Sequence, residues 1–530
     1  MPSAPPVLDA EPAPSTRRGA WTAMILVIAC AAQFMVVLDI SIVNVALPDI
    51  KDSLGLSPAG QQWIVNAYTL AFAGLLLLGG RAADLVGARR VFLAGLGVFT
   101  AASLACGLAA NAGTIIAARA VQGVGGAILA PATLTLIMTT FTDPRARTRA
   151  MGAWSSVNAV GGAVGALLGG ALTEYAGWRW VFFIGVPVGV VFCVAGYLHL
   201  PAARSGGGAR GAEGPRSVDG RRGADGPRGT DGPQGTDGPQ GTDGPQGTDG
   251  PRRLDLPGAL SVTVGLTALV YAIISTESVS PASPHVWAAL AVGVVLMAAF
   301  VLIQSRAADP LVPLRVLRRR TLAIANGVMI GLGAAMFAMW FLLSLYMQQV
   351  LGFSALKTGL WFLPSCLAVV IGTRTATHLV HRTGPRSLLV GGLAISTLGF
   401  LWLSRIHPHG VFTTDVAAPF ALCALGLGLA MLPVTAAATT GIQPREAGLV
   451  SGLVNTSRQV GGAVGLAVLA AVVSHTARGH AGPGSQALTA GYAHAFLCAA
   501  LFTACAALGS LFLPGRPAPS AGAPTPGAKE

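Results

Sequence analysis

Asp39 interrupts an apolar run that extends from Trp21 to Leu47, within Leu38-Asp39-Ile40-Ser41-Ile42-Val43-Asn44-Val45-Ala46-Leu47-Pro48. A carboxylate at the centre of a membrane helix costs about 2.5–3.5 kcal/mol on insertion scales, so one kept there is a functional candidate. A group that can be neutral or charged at such a place suits proton carriage. Hydrogen bonding to neighbouring helices is the purely structural alternative. A second candidate is Arg119, in Arg119-Ala120-Val121-Gln122-Gly123-Val124-Gly125-Gly126-Ala127. Three residues apart, Arg119 and Gln122 share a helix face, and Gly123 and its neighbours allow close helix approach. An arginine lining a cavity there holds an anion or tunes a carboxylate's proton affinity; a structural partner role is the alternative. Arg458, beside Gln459 and ahead of a glycine-rich stretch, is a further candidate for cavity or helix packing.

Two glycine patterns complete the set. Gly80-Arg81-Ala82-Ala83-Asp84-Leu85-Val86-Gly87-Ala88-Arg89-Arg90 reads as a loop between two apolar runs. Gly80 and Gly87 permit a tight turn, while Asp84 can cap a helix or pair with Arg89 or Arg90 as a latch that breaks on opening. A simple turn flanked by basic residues explains it too. Further on, Gly161, Gly165 and Gly169 make one i, i+4, i+8 stripe, and Gly162, Ala166 and Gly170 the stripe beside it. Such surfaces let helices pack or slide at short distance. The seven cysteines sit inside apolar segments with no CxxC pairing, and no histidine spacing suggests a metal ligand. No catalytic residue, metal site or cofactor is expected.

The elements that must carry these residues are membrane helices. Of 530 residues 53% are hydrophobic and 10% charged, against roughly 25% charged in soluble domains. The apolar residues fall in blocks of about 20 or more, enough to cross about 30 Å of hydrocarbon. Fourteen helices are expected, at 21–47, 61–80, 91–110, 113–141, 150–173, 178–200, 256–276, 286–305, 321–350, 355–380, 386–405, 413–440, 447–473 and 491–513. The net charge of +13 comes from arginines scattered in short connections, so nucleic-acid binding is not expected. Arg89, Arg90, Arg145, Arg147, Arg149, Arg315, Arg318, Arg319, Arg320, Arg382, Arg386 and Arg445 fall on one set of connections. Lys51, Arg179, Lys357, Arg405 and Arg478 fall on the other. The arginine-rich side is expected to be cytoplasmic, with both termini inside.

Between Pro201 and Pro257 the composition changes, and from Gly220 to Arg252 glycine recurs at every third position for eleven triplets. A strict Gly-X-Y period is collagen-like, but so short a tract reads as a disordered cytoplasmic linker. The chain then divides into an N-tail at 1–20, a six-helix unit at 21–200, a loop at 201–255, two inserted helices at 256–305, a second six-helix unit at 321–513 and a C-tail at 514–530. The units share GGAVG at Gly161–Gly165 and Gly461–Gly465, each in the fifth helix of its unit. That is the mark of a duplicated transporter half.

Together these features resemble the major facilitator superfamily, and within it the fourteen-helix drug:proton antiporter family. The Leu38–Pro48 segment is similar to the motif LDxTxVNVALP, with Ser41 in place of Thr. The Gly80–Arg90 segment is similar to G-x-L-A-D-R-x-G-R-R/K, with Leu85 and Ala88 departing. Arg119–Ala127 resembles RxxQGxGxA, and Trp178–Gly189 is also similar, with Gly185 where Asn is common. One departure bears on coupling: the family's G-P-x-x-G-G reads Gly165-Ala166-Leu167-Leu168-Gly169-Gly170. A missing proline removes a fixed kink but keeps the glycine surface.

The resemblance implies an all-α fold of two six-helix bundles plus two inserted helices in a bacterial inner membrane. It implies alternating access, with proton entry exchanged for export of small amphipathic compounds such as antibiotics. Asp39 and Arg119 would couple protons, and Gly80, Asp84, Gly87, Arg89 and Arg90 would form the cytoplasmic gate. The partners implied are a small-molecule substrate, protons and the lipid bilayer, with the chain monomeric. An importer or metabolite exporter of the same fold, or a multi-spanning enzyme or sensor, is the alternative. No G-x-x-x-x-G-K-[ST] loop is present for an ATP-driven pump.

Overall fold

The computed structural model describes residues 14–200, 254–277, 279–280, 282–307, 310–407, 411–439, 447–480 and 484–513, with backbone alone at 14–20, 144, 158–159, 381 and 447–448. The Gly-X-Y tract, Arg445, residues 1–13 and the C-tail lie outside the described residues. Among those described, fourteen helices are long and apolar enough to cross a membrane.

They are α1 (Pro14–Leu54), α2 (Pro58–Val86), α3 (Ala88–Gly107), α4 (Ala112–Thr140), α5 (Pro144–Tyr175) and α6 (Trp180–His199, in two segments). The inserted pair follows as α7 (Leu256–Ser275) and α8 (Pro284–Arg306). The second unit is α9 (Arg320–Gln349), α10 (Ala355–Thr383), α11 (Pro385–Leu403), α12 (Thr413–Thr439, opening on a π-helical turn), α13 (Ala447–Gly479) and α14 (Gly484–Ser510). Three N-caps follow from local chemistry. Ser57 Oγ accepts from Gly60 N at 3.1 Å ahead of Pro58, Asn111 and Thr114 form a reciprocal capping box, and Asp143 Oδ2 accepts from Ala146 N at 2.7 Å.

The segment expected to be a loop from Gly80 to Arg90 is mostly helix. α2 runs on to Val86 and the turn is Gly87 alone, at φ 98°. Gly384, at φ 82°, makes the matching one-residue turn between α10 and α11. Both sit in the left-handed region that glycine enters without steric cost.

Contacts between the two units concentrate at the end away from the termini. Ser344 Oγ donates to Asn44 O at 3.0 Å, Gln348 Nε2 to Val45 O at 3.1 Å, and Leu356 N to Glu174 Oε2 at 3.0 Å. α5 and α10 touch backbone to backbone there: a side chain at Gly170 would strike the Ala355 carbonyl, and one at Gly359 the Ala166 carbonyl. At the terminal end a side chain at Gly452 would meet Leu77 across the seam, and Arg81 Nη1 donates at 3.1 Å to Pro310 O in the connection leading to α9.

The inserted pair covers the seam between α2 and α13. Leu70, Leu266, Val270, Ile274, Ala463 and Ala467 form one apolar cluster drawn from all three elements. Just past α7, Glu277 Oε1 accepts hydrogen bonds from Gln62 Nε2 of α2 and from Ser474 Oγ of α13, so one carboxylate joins the two units. Its other oxygen, Oε2, is buried with no hydrogen-bond partner. Burial raises the Glu277 carboxyl above its ordinary range, and the bonds from Gln62 and Ser474 and the charge of Arg478 only partly oppose this. A raised carboxyl pKa means that the folded form holds its proton more tightly than the unfolded one. Its stabilising contribution is therefore present at low pH and lost as pH rises above the ordinary carboxylate range. Melting curves of wild type and Glu277→Gln should accordingly diverge as pH rises from about 4.5, with the variant the less pH-dependent; parallel curves would refute this.

Candidate functional site

The first unit brings Asp39, Arg119 and Gln122 into one closed ring. Arg119 Nη1 lies 2.6 Å from Asp39 Oδ2 and donates to Gln122 Oε1 at 2.7 Å; Gln122 Nε2 donates to Asp39 Oδ1 at 2.8 Å. Arg119 Nε donates to the Ile64 carbonyl at 3.1 Å, which ties in α2. The guanidinium carbon lies 4.4 Å from the centroid of the Tyr68 ring and 6.0 Å from that of Phe182. Asp39 is 5% exposed, Arg119 1% and Gln122 0%. The expected grouping of carboxylate, arginine and glutamine is therefore a single desolvated cluster between α1, α2 and α4. Arg119 lies seven residues into α4, about 10 Å from its start at 1.5 Å per residue, so the ring sits in the half of the membrane where the two units close.

Local sequence explains how the ring is held. A side chain at Gly123 would collide with the Tyr68 carbonyl, and one at Gly125 with the backbone of Phe99. The glycines after Arg119 thus bring α4 flush against α2 and α3. The stripe on α5 has two destinations. Gly161, Gly165 and Gly169 lie on α1, against Val37, Ser41 and Ile42, while Ala166 and Gly170 turn to α10 and form the seam between units. In the second unit Gly461 and Gly465 lie on Ile330 and Ala334 of α9. Both GGAVG segments thus pack the fifth helix of their unit on its first.

The other expected residues are more dispersed. Gly80 is inside α2, facing Pro131. Asp84 is exposed in the last turn of α2, and the N-cap of α3 is Gly87, which makes no side-chain cap. Arg89 Nη2 donates to Tyr197 O at 2.7 Å on α6, within its own unit, and Arg90 is exposed. Arg81, within that motif, is the side chain that reaches across to the 310 segment. Arg458 is half-buried on α13 and donates to Asn455 Oδ1 from Nε and Nη2 at 3.3 and 2.8 Å. Sequence reasoning did not foresee Tyr68, the Ile64 carbonyl or Glu277, because each contributes through contacts distant in the chain.

What the ring can do follows from its charges. A buried ion pair loses more when one partner is removed than when both are replaced by apolar groups. Arg119→Leu should lower stability by about 3–5 kcal/mol through the stranded Asp39, and the double change Asp39→Leu with Arg119→Leu should recover most of it. Chemical denaturation in detergent measures both; additive losses would contradict the pairing.

The family model of the Major Facilitator Superfamily matches residues 29–466. The chain is 40% identical over 481 residues to the cephamycin export protein CmcT of Amycolatopsis lactamdurans, covering 90% of this chain and 89% of that protein. It is 38% identical over 448 residues to the puromycin resistance protein pur8 of Streptomyces alboniger, covering 84% and 80%. Among solved structures, an inward-facing, occupied bacterial homologue of the human lysosomal transporter Spinster superposes with a TM-score of 0.59 at 15% identity, over 93% of this chain and 96% of that one. With fourteen candidate spans and a buried Asp39–Arg119–Gln122 ring, the chain belongs to the major facilitator superfamily of membrane transporters.

Proposed function

We propose that this protein is a proton-driven exporter of small amphipathic compounds of the antibiotic class. It works as a monomer in a bacterial inner membrane, with both termini cytoplasmic and no bound cofactor. The names of its relatives, an export protein and a resistance protein, support the direction of transport. The observation that carries proton coupling is the ring itself. Asp39 is the carboxylate among three mutually bonded side chains, and protonating it removes the charge that holds Arg119 Nη1 and Gln122 Nε2.

With Asp39 charged, α1 is tied to α4, and through Arg119 to the Ile64 carbonyl of α2. A proton arriving from outside breaks the tie that orders these helices. The units then rock about the α5–α10 and α2–α13 seams, and the proton leaves toward the cytoplasm. With the termini inside, the contacts at the far end describe an outward-closed molecule. In this reading Arg81 and its neighbours Asp84, Arg89 and Arg90 form the cytoplasmic gate, Arg81 by way of its bond to Pro310 O. The seam holds without the proline at position 166, because the small Ala166 already lets Gly359 approach its carbonyl.

In vesicles with an imposed pH gradient, wild-type protein should move an antibiotic or dye against its gradient, and Asp39→Asn should lose that uphill movement. Uphill export by Asp39→Asn at the wild-type rate would refute the assignment. Growth dependence on a nutrient rather than drug susceptibility on deletion would favour an importer of the same fold.

A further inference from the structure

Arg458 differs from Arg119 in one respect that matters for substrates. Arg119 spends its charge on Asp39, whereas Arg458 has no carboxylate partner among the described residues. It lies eleven residues into the 33-residue α13, about 16 Å from its start, and its carbonyl meets Gly333 midway along α9. That is within the hydrocarbon thickness, where an arginine facing lipid is costly.

Helix geometry says where the guanidinium points. Ser457, Gly461 and Gly465 of α13 engage α9, while Val460, Ala463 and Ala467 belong to the cluster shared with α2 and α7. At 100° per residue, Asn455 and Arg458 fall in the wider arc between those two faces, the arc in which Gly462 lies under Phe337 of α9. The matching arc of α5 opens on free space, since a side chain at Gly162 would meet nothing within 4 Å. The lipid side of the α2–α13 seam is covered by α7. Arg458 therefore faces the space between the units.

The bonding of the guanidinium defines what it can take. Arginine has five N–H donors. Nε and Nη2 share Asn455 Oδ1, which uses the side-on edge. The end-on edge, Nη1 with the second Nη2 hydrogen, is left to receive two oxygens of one anion side by side. One turn along α13, the Phe337 ring of α9 covers Gly462, and Trp340, one turn further on α9, stacks on Phe362 with centroids 4.9 Å apart. A cationic fork beside half-buried aromatic rings matches a molecule with an anionic end and an apolar body.

We infer that Arg458 is the recognition site for the carboxylate of an anionic amphipathic substrate, with Phe337 and Trp340 lining the place of its apolar part. This rests on the reading of the protein as a transporter of amphipathic compounds and names the charge of the substrate. Substrates without an anionic group should be handled by the aromatic wall alone.

The test is equilibrium binding of pyrenebutyrate and of its neutral amide to the purified full-length protein in detergent, read by fluorescence anisotropy at pH 7.5. A charge-assisted pair predicts a preference for the carboxylate of roughly tenfold or more. Arg458→Gln should abolish that preference while leaving amide binding unchanged, and Arg458→Lys should keep part of it. Asn455→Asp retains the arginine but neutralises it from the same edge, so it should abolish the preference even if Arg458→Gln fails to fold. Equal binding of the two probes by wild type, or a preference that survives Asn455→Asp, overturns the inference. Because no gradient is present, failure of proton coupling leaves this result untouched and shows only in the vesicle experiment with Asp39→Asn.

Discussion

A charge inside the hydrocarbon layer must be balanced or kept wet, and the rest of this molecule is arranged around that constraint. In the first unit the solution is balance: Arg119, 1% exposed, is closed into a ring with Asp39 and Gln122. Neither partner is stable there alone, because removing one strands the other in a medium that cannot solvate it. A proton is the smallest change that can unmake such a pair. The ring also spans α1, α2 and α4, so its charge state bears directly on how those helices sit together.

The second constraint is that two bundles must meet closely and still separate. Backbone contact at glycine provides this, because such surfaces gain dispersion energy without interlocking side chains. On α5 one stripe is committed to α1 inside the unit, and the adjacent Ala166 and Gly170 meet α10 across the seam. On the opposite side the α2–α13 seam is larger-grained, and the inserted pair closes it with an apolar cluster and with Glu277. The extra helices thus have a physical task in a fold of two six-helix units: they keep lipid from a seam that has to move.

Much of this was legible from residue types and spacing. Apolar block length and the arginine distribution marked membrane helices, because hydrocarbon thickness and the cost of charge leave little freedom. The helices at 256–276 and 286–305 correspond to α7 and α8, and GGAVG in both halves corresponded to a repeated helix pairing. Asp39, Arg119 and Gln122 stood out because polar residues in apolar runs are costly to keep. The two glycines of the Gly80–Arg90 segment suggest a loop. Only Gly87 adopts a positive φ, and Gly80 is an ordinary helical residue beside Pro131.

The sequence by itself determined the solvent, the number of spans and the identity of the groups that cannot be buried uncompensated, since those depend on composition and local period. Only the tertiary structure decided which charges are spent and which are available. Asp39 and Arg119 are 80 positions apart, and Glu277 meets Gln62 and Ser474 at separations of 215 and 197. Partnership over such distances is set by how helices pack in space. The same packing leaves Arg458 with an amide partner and an open edge, although in the sequence it looks much like Arg119: an arginine followed by a glutamine and a run of glycines.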